Sequence, residues 1–158
     1  MDRKIVLPRK TMYEDEILGY VNLLAIPNFR CVKMRNDLPA KPWKKECGIL
    51  NLDSLNHEGT HWVAWYKNGK ERYYFDSFGQ YPPFELLHYL KTSMEIDRDL
   101  PAIKRSAVTV QHDQSKECGA LCLYVLKQLS SGIPFDVILE TLLKRYHKNK
   151  TPALAIEI

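Results

Sequence analysis

The sequence contains no apolar run that approaches the ~20 residues needed to cross a bilayer. Residues 1–4 are followed by no long apolar stretch of the kind found in a secretion signal. We therefore expect an intracellular, soluble protein without membrane contact. Internal repeats are also absent, so residues 1–158 are expected to form a single domain around one core. Within it, segments 1–10 and 148–158 are expected to be loose tails.

Cysteine is scarce, and its spacing is unlike that of a metal site. The four cysteines are Cys31, Cys47, Cys118 and Cys122. No C-x-x-C pair is present, so we expect reduced thiols and no metal. A large excess of one charge is lacking too, because the net charge is only +4. The basic residues cluster only at 144–150, so any contact with DNA is expected to be weak.

Apolar residues at helical spacing predict four helices, over residues 12–25, 82–93, 117–130 and 134–147. Thr11 and Glu14 match a capping box at the start of the first helix. Gly132 is suited to end the third. That third helix is expected to bury one stripe, which consists of Cys118, Cys122, Val125, Leu126 and Leu129.

Strands are predicted over residues 48–53, 60–66, 71–76 and 107–110, whereas segment 29–38 has no firm period. The second and third strands flank Asn68-Gly69, which is a strong signal for a β-hairpin. If this pair forms the loop, His61 lies directly opposite Asp76. Directly opposed residues have Cβ atoms about 4.5–5.5 Å apart. The carboxylate could then orient the imidazole, provided that no β-bulge intervenes.

Cys118 is the candidate nucleophile. A cysteine attacks as its thiolate, and the start of a helix favours that charged form. His61 would take the thiol proton and return it to the leaving amine, while Asp76 holds the imidazole in the useful tautomer. The side-chain amide of Gln111 and the backbone N–H of Cys118 would donate to the oxyanion. Gly119 would leave room beside the nucleophile for a substrate backbone.

Each of these residues has a rival or a plainer explanation. Rival bases are His57, His88, His112 and His147, rival acids are Asp53 and Asp113, and the rival amide is Gln114. His112 is the most serious of them, because it is close to Cys118 in sequence. Taken singly, Cys118 would more often be a small buried residue, as Cys122 is expected to be. The site is nevertheless favoured, because the hairpin and the helix are predicted independently and converge on one constellation.

The order of these motifs resembles that of a known clan of cysteine proteases. His61-Trp62, an acid on the next strand, and then Gln111 and Cys118-Gly119 occur in the same order in the clan of adenain and the SUMO proteases. Within the clan, the adenovirus-type maturation proteases are the most similar. The similarity lies in residues 75–79, in the seven-residue step from Gln111 to Cys118, and in the C-G-x-x-C motif of residues 118–122. Segments 28–35 and 59–62 also resemble relatives in Maverick/Polinton transposons and adintoviruses. The resemblance covers about residues 12 to 146.

The resemblance implies the fold, the site and the substrate. The fold would be an α+β, circularly permuted papain-like one, with a central helix that carries the nucleophile packed on a small mixed β-sheet with flanking helices. His61, Asp76 and Cys118 would form the triad, Gln111 the oxyanion donor, and Trp62 would pack near the site. The implied activity is cleavage of Gly-containing sites in viral or transposon capsid and core precursors, in the virion and the host nucleus.

The sequence also departs from that family. The adenovirus enzymes usually have Glu where Asp76 stands, and they are activated by a peptide disulfide-linked to a cysteine between the acid and the glutamine. Here no cysteine lies between Asp76 and Cys118. The sequence therefore requires no cofactor, and an activating peptide or DNA is suggested by analogy only. A monomer is expected. The alternatives are an isopeptidase that removes ubiquitin-like modifiers and an inactive binding module on the same fold.

Overall fold

The computed structural model describes residues 3–53, 61–92 and 103–158, and its centre is a five-stranded mixed β-sheet. The sheet contains β2 (Phe29–Met34), β3 (Lys45–Asn51), β4 (Trp62–Asn68), β5 (Glu71–Phe75) and β6 (Lys104–Arg105), in that order. The outer pairs β2–β3 and β5–β6 are parallel, and the inner pairs are antiparallel. A separate two-stranded sheet pairs β1 (Lys4–Val6) with β7 (Ala155–Glu157). The predicted α+β class is confirmed.

Four helices complete the described part of the fold, and all four were predicted. They are α1 (Glu14–Leu24), α2 (Phe84–Thr92), α3 (Cys118–Ser130) and α4 (Phe135–Tyr146). The capping pair of α1 is Tyr13 and Glu16, two residues later than predicted. The backbone N–H of Tyr13 donates to the Glu16 carboxylate at 3.3 Å. Among the described residues, no helix has the length and apolarity to span a bilayer.

The sheet separates two apolar clusters, so that β4 is buried on both faces. Trp62 and Ala64 pack in the larger cluster with α1, α3 and α4. Val63 and Trp65 alternate with them and pack in the smaller cluster with α2. The prediction of one core is therefore wrong. A single-sided strand would show polar and apolar residues in alternation, which β4 does not.

Helix α3 lies in the middle of the larger cluster. All five residues of the predicted stripe are buried, but burial extends beyond the stripe to every residue from 118 to 126. The central sheet, α1 and α4 surround this helix. Each leucine that is fully buried in it stabilises the fold by about 2 kcal/mol. Gly132 has a φ of +89° and follows the last turn, as predicted for the end of this helix. The candidate nucleophile, Cys118, therefore lies at the start of a helix whose residues are nearly all buried.

The predicted strand 107–110 does not form. The ladder beside β5 is limited to Lys104 and Arg105. After it, the chain follows the turn beyond β5, where the backbone N–H of Val110 donates to Ser77 O at 2.8 Å. A Cβ on Gly79 would lie 3.0 Å from the backbone N of Val108, so the two segments are in close contact. The apolar alternation of 107–110 reflects this packing rather than a ladder.

Each of the two predicted loose tails instead contains a strand, and these strands, β1 and β7, pair with each other. Ile5 lies opposite Ile156 in the terminal sheet. Leu7, Leu154 and Ile156 are buried in the larger cluster. These strands were not predicted, because three residues are too few to reveal the alternation of a strand. Strand β2 lies in segment 29–38, for which no element was predicted.

The hairpin forms, but its register differs from the predicted one. Asn68 pairs with Glu71, so the two loop residues are Gly69 and Lys70 rather than Asn68 and Gly69. Extended by one position, this register places Val63 and not His61 opposite Asp76. His61 is therefore a diagonal neighbour of Asp76. A slip of two residues keeps side chains on the same face, and long side chains still meet across the diagonal.

The hairpin turn depends on the backbone of Gly69. Its φ is +60°, a conformation that costs other residues roughly 1–2 kcal/mol. We expect Gly69→Ala to lower the free energy of unfolding by about that amount. Gly19→Ala is the matched control, because Gly19 lies inside α1 with open space around its Cβ position. It should raise the free energy of unfolding by roughly 0.5–1 kcal/mol. Urea titrations would contradict the assignment of the turn if both variants changed in the same direction.

Candidate active site

His61 and Asp76 meet at the open end of the hairpin. His61 precedes β4 and Asp76 follows β5, and the imidazole Nε2 lies 2.8 Å from Asp76 Oδ1. The Asp76 side chain is 1% exposed. The same Oδ1 accepts the backbone N–H of Phe78 at 2.9 Å, so this carboxylate also closes the turn. Phe78 stacks on the imidazole with ring centroids 4.9 Å apart. The imidazole is thus held at its edge and on its face.

The backbone of Asp76 is fixed by one buried serine. Ser106 Oγ accepts the N–H of Asp76 at 2.9 Å and donates to the carbonyl of Asp76 at 3.0 Å. Ser106 follows β6, the edge strand beside β5. The position of the acid therefore depends on the neighbouring strand as well as on the hairpin.

Cys118 is the first residue of α3, and its side chain is near enough to His61 to help raise the pKa of the imidazole. Because Nε2 faces Asp76, Nδ1 is the ring nitrogen left for the sulfur. Burial lowers the pKa of His61, but hydrogen bonds and charge interactions with Asp76 and Cys118 outweigh it and raise that pKa to about 9. An imidazole that stays protonated at neutral pH can pair with a thiolate. The first N–H groups of a helix have no intrahelical partner, so the backbone N–H of Cys118 can donate to an oxyanion.

Gln111 is buried, and its side-chain amide is held at both ends. Ser77 Oγ donates to Gln111 Oε1 at 2.5 Å. Gln111 Nε2 donates to the carbonyl of Ser115 at 2.8 Å. A carbonyl can only accept, which fixes the orientation of the amide. The nitrogen carries two hydrogens, and this bond uses one of them, so the other can donate to an oxyanion.

Trp62 and Gly119 pack against each other beside the nucleophile. A Cβ on Gly119 would lie 3.3 Å from Met12 Sδ and 3.5 Å from Trp62 Cδ1. The Trp62 indole N–H donates to the carbonyl of Met12 at 2.9 Å. A side chain at 119 would therefore crowd Met12, which is a reason for glycine at this position in addition to the predicted room for a substrate. Trp62 packs near the site, as the resemblance implied.

Solved structures with similar folds are proteases. The ASFV pS273R protease matches with a TM-score of 0.56 at 18% identity, over 94% of this chain and 72% of that one. The SUMO protease Ulp1 matches with a TM-score of 0.53 at 15% identity, over 89% of this chain and 81% of that one. The chain has the fold of the SUMO-protease clan. The fold that the motifs implied is thereby confirmed.

One sequence relative is consistent with this clan. A protein named "Protease" from Bovine adenovirus 2 is 33% identical over 92 residues, which make up 52% of this chain. The match spans 45% of that relative, which is less than half of its length. No family model matches the chain. The resemblance to adenain-like cysteine proteases is thus borne out by both sequence and fold.

Of the rival residues that the structure describes, four have other contacts and two are exposed. The His112 ring stacks on Tyr146 at 4.2 Å, and its Nε2 lies 3.2 Å from the Tyr146 carbonyl. His88 stacks on Phe84 in α2, and His147 contacts Tyr146 in a T-shaped arrangement. Asp113 and Gln114 are exposed, whereas Gln111 is buried. Asp53 follows β3 and its backbone N–H donates to Asn51 Oδ1 at 2.9 Å. His57 lies outside the described residues.

Three serines at the site received no role from the sequence, although Ser77 lies within the motif of residues 75–79. Ser77, Ser106 and Ser115 contact Gln111 or Asp76 through hydroxyl or carbonyl groups. Serine is common in loops, and all three lie outside predicted helices and strands. Their partners are 30 or more residues away for Ser77 and Ser106, so only the fold reveals them.

The imidazolium of His61 should make stability depend on pH. Its folded pKa of about 9 lies above the ordinary value of 6.5. The contribution is therefore fully present below about pH 6.5 and is lost as the pH rises through about 9. We expect a loss of about 3 kcal/mol over that window. The measurement is the difference in free energy of unfolding between the wild type and His61→Gln, from urea titrations between pH 6 and 9.5. A difference that stays constant with pH would contradict this prediction.

Proposed function

We propose that this chain is a cysteine protease in which His61, Asp76 and Cys118 form the catalytic triad. The observation that carries the proposal is the 2.8 Å contact from His61 Nε2 to a buried Asp76, in an imidazole whose pKa is also raised by Cys118. Three buried or half-buried groups from separate elements would rarely meet in this order by chance. The similarity to an adenovirus protein named "Protease" supports the same activity.

The reaction would follow from this geometry in two steps. The Cys118 thiolate attacks the carbonyl carbon of the scissile bond, and the oxyanion accepts hydrogen bonds from Gln111 Nε2 and the Cys118 N–H. The His61 imidazolium then gives its proton to the leaving amine, which leaves a thioester on Cys118. In the second step, neutral His61 takes a proton from water, whose oxygen attacks the thioester. The carboxylic acid product leaves, and the thiolate–imidazolium pair is restored.

We further propose that the substrates are viral or transposon capsid and core precursors, cleaved at Gly-containing sites inside the virion or host nucleus. The motifs shared with the adenovirus-type maturation proteases and the adenovirus relative support this choice. The protein would act as a monomer on a protein partner. A weak contact with DNA would involve the basic residues near the end of α4, where Lys144, Lys148 and Lys150 are exposed.

A second candidate function is the removal of ubiquitin-like modifiers. It is favoured by the similarity to the Ulp1 protease domain solved in complex with SMT3, the yeast orthologue of SUMO. That structure matches with a TM-score of 0.52 at 15% identity, over 87% of this chain. Both candidate functions use the same site chemistry and differ in the substrate that the surrounding surface accepts.

A substrate panel distinguishes these functions. The purified protein would be incubated with peptides that contain Gly-Gly and Gly-x-Gly bonds, and with fluorogenic C-terminal amides of ubiquitin and SUMO, each with and without DNA. We expect cleavage of the Gly-containing peptides, identified by mass spectrometry. Turnover of the ubiquitin-like substrates alone would establish the isopeptidase instead. A protein that cleaves none of them, and whose Cys118 reacts with iodoacetamide no faster than a free thiol, would be a binding module.

A further inference from the structure

A buried ion pair lies directly before the candidate nucleophile. Glu117 precedes Cys118, and its Oε2 accepts from Arg145 Nη2 of α4 at 2.6 Å. Both side chains are less than a tenth exposed. Arg145 Nε also donates to the carbonyl of Pro152 at 2.8 Å, which fixes the guanidinium. Arg9 Nη2 approaches Glu117 Oε1 at 3.3 Å from the partly exposed side. Charges buried this deeply are retained only when they are paired and hydrogen-bonded.

A chain of hydrogen bonds connects this ion pair with Gln111. Ser115 Oγ donates to Glu117 Oε1 at 3.3 Å and accepts the backbone N–H of Glu117 at 3.2 Å. The carbonyl of the same Ser115 accepts from Gln111 Nε2 at 2.8 Å. The carboxylate of Glu117 therefore reaches the amide of Gln111 through a single intervening residue.

The two donors to the oxyanion stand at the two ends of one loop. Gln111 begins it, Cys118 ends it, and residues 112–114 between them are exposed. The distance between the donors consequently depends on the shape of this loop. Donors must lie about 2.7–3.1 Å from the oxyanion to be effective, and a misplacement of about 1 Å can cost roughly 100-fold in rate.

We propose that Glu117 and Ser115 are positioning residues that hold the oxyanion donor Gln111 at its working distance from Cys118. Arg145 anchors Glu117 from α4, Glu117 orients Ser115, and the Ser115 carbonyl directs the amide. This inference rests on the proposed protease function. In this arrangement both residues act through Gln111.

The test compares cleavage with alkylation. Ser115→Ala and Glu117→Gln are expected to lower kcat on a cleaved peptide by about ten- to 100-fold, with little change in KM. Alkylation of Cys118 by iodoacetamide forms no oxyanion, so its rate should stay within about twofold of the wild type. Ser131→Ala is the matched control. Its hydroxyl also bonds to the backbone, at 3.0 Å from the Lys127 carbonyl, but at the opposite end of α3, and it should leave kcat unchanged.

A double-mutant cycle tests whether the effect passes through Gln111. In a Gln111→Ala background, Ser115→Ala should produce no further fall in kcat, because the group that it positions is already gone. Multiplied losses in the double variant would overturn the inference. A parallel fall in both kcat and the alkylation rate would also overturn it, since this would indicate general damage to the site.

The outcomes also separate this inference from the proposed function. If Glu117→Gln fails to fold because Arg145 is left without its partner, Ser115→Ala decides, since it preserves the ion pair. An unchanged kcat in Ser115→Ala, in a protein whose cleavage requires Cys118, overturns the inference alone. A wild-type protein without cleavage that requires Cys118 overturns the proposed function and the inference together.

Discussion

Replacing Cys118 by alanine is expected to lower the rate of peptide cleavage by about 10⁶-fold, the usual cost of losing a nucleophile. The other thiols are poorly suited to replace it. Burial raises the pKa of Cys31 to about 11 and that of Cys47 to about 12. Burial also raises the pKa of Cys122 well above its ordinary range. All three therefore remain neutral thiols near pH 7, and initial rates on a cleaved peptide would measure the loss.

Cys122→Ala is the matched control for this experiment. The same atoms are removed one turn further along α3, from a residue that is fully buried. This variant should lose some stability, because a small cavity replaces the sulfur, but kcat should stay within about threefold of the wild type. Equal losses in the two variants would show that the core of α3, and not a thiolate at its start, is what cleavage requires.

Replacing His61 by alanine should have an effect of similar size, about 10⁶-fold in kcat. The reason is that, in the proposed mechanism, His61 pairs with the sulfur of Cys118 and supplies the proton to the leaving amine. Rapid alkylation of Cys118 near neutral pH should disappear in the same variant. His112→Ala provides the control, because this ring is bound to Tyr146 and lies 3.3 Å from Thr151 Oγ1.

The comparison of the two histidines decides where the base originates. His112→Ala should retain kcat within about threefold and should leave the alkylation rate unchanged. If His112→Ala were the more damaging variant, the base would come from the loop before Cys118. The hairpin would then have a structural role only.

The features that the sequence predicted are those encoded locally. Helix α3 could be predicted because an unbroken apolar run follows Cys118 and Gly132 ends it. The hairpin could be predicted because Asn68-Gly69 separates two runs of strand-forming residues. The approach of His61 to Asp76 was predicted from a register that is wrong by two residues. The contact exists nevertheless, because a slip of two preserves the face.

The features that could not be predicted depend on partners distant in sequence. The burial of α3 on all sides requires α1, α4 and the sheet together, so a stripe was the natural expectation for an isolated helix. Ser106 hydrogen-bonds to Asp76, and Ser77 hydrogen-bonds to Gln111. Each bond joins two segments that are distant in sequence and that only the fold brings together. The terminal strands are too short for a pattern. Their pairing follows from apolar residues such as Leu7 and Leu154, which gain burial only when the core exists.

The terminal sheet has a consequence for the order of folding during synthesis. Ile5 pairs with Ile156, so this ladder closes a loop of roughly 150 residues and can form only after β7 has been made. The N-terminal strand must therefore wait until β7 has been synthesised, while the central sheet and α3, which precede β7 in the chain, become available to fold first. Arg9, which follows β1, reaches Glu117 beside the nucleophile. The strand whose pairing has to wait for β7 is thus followed closely by a residue that contacts the site.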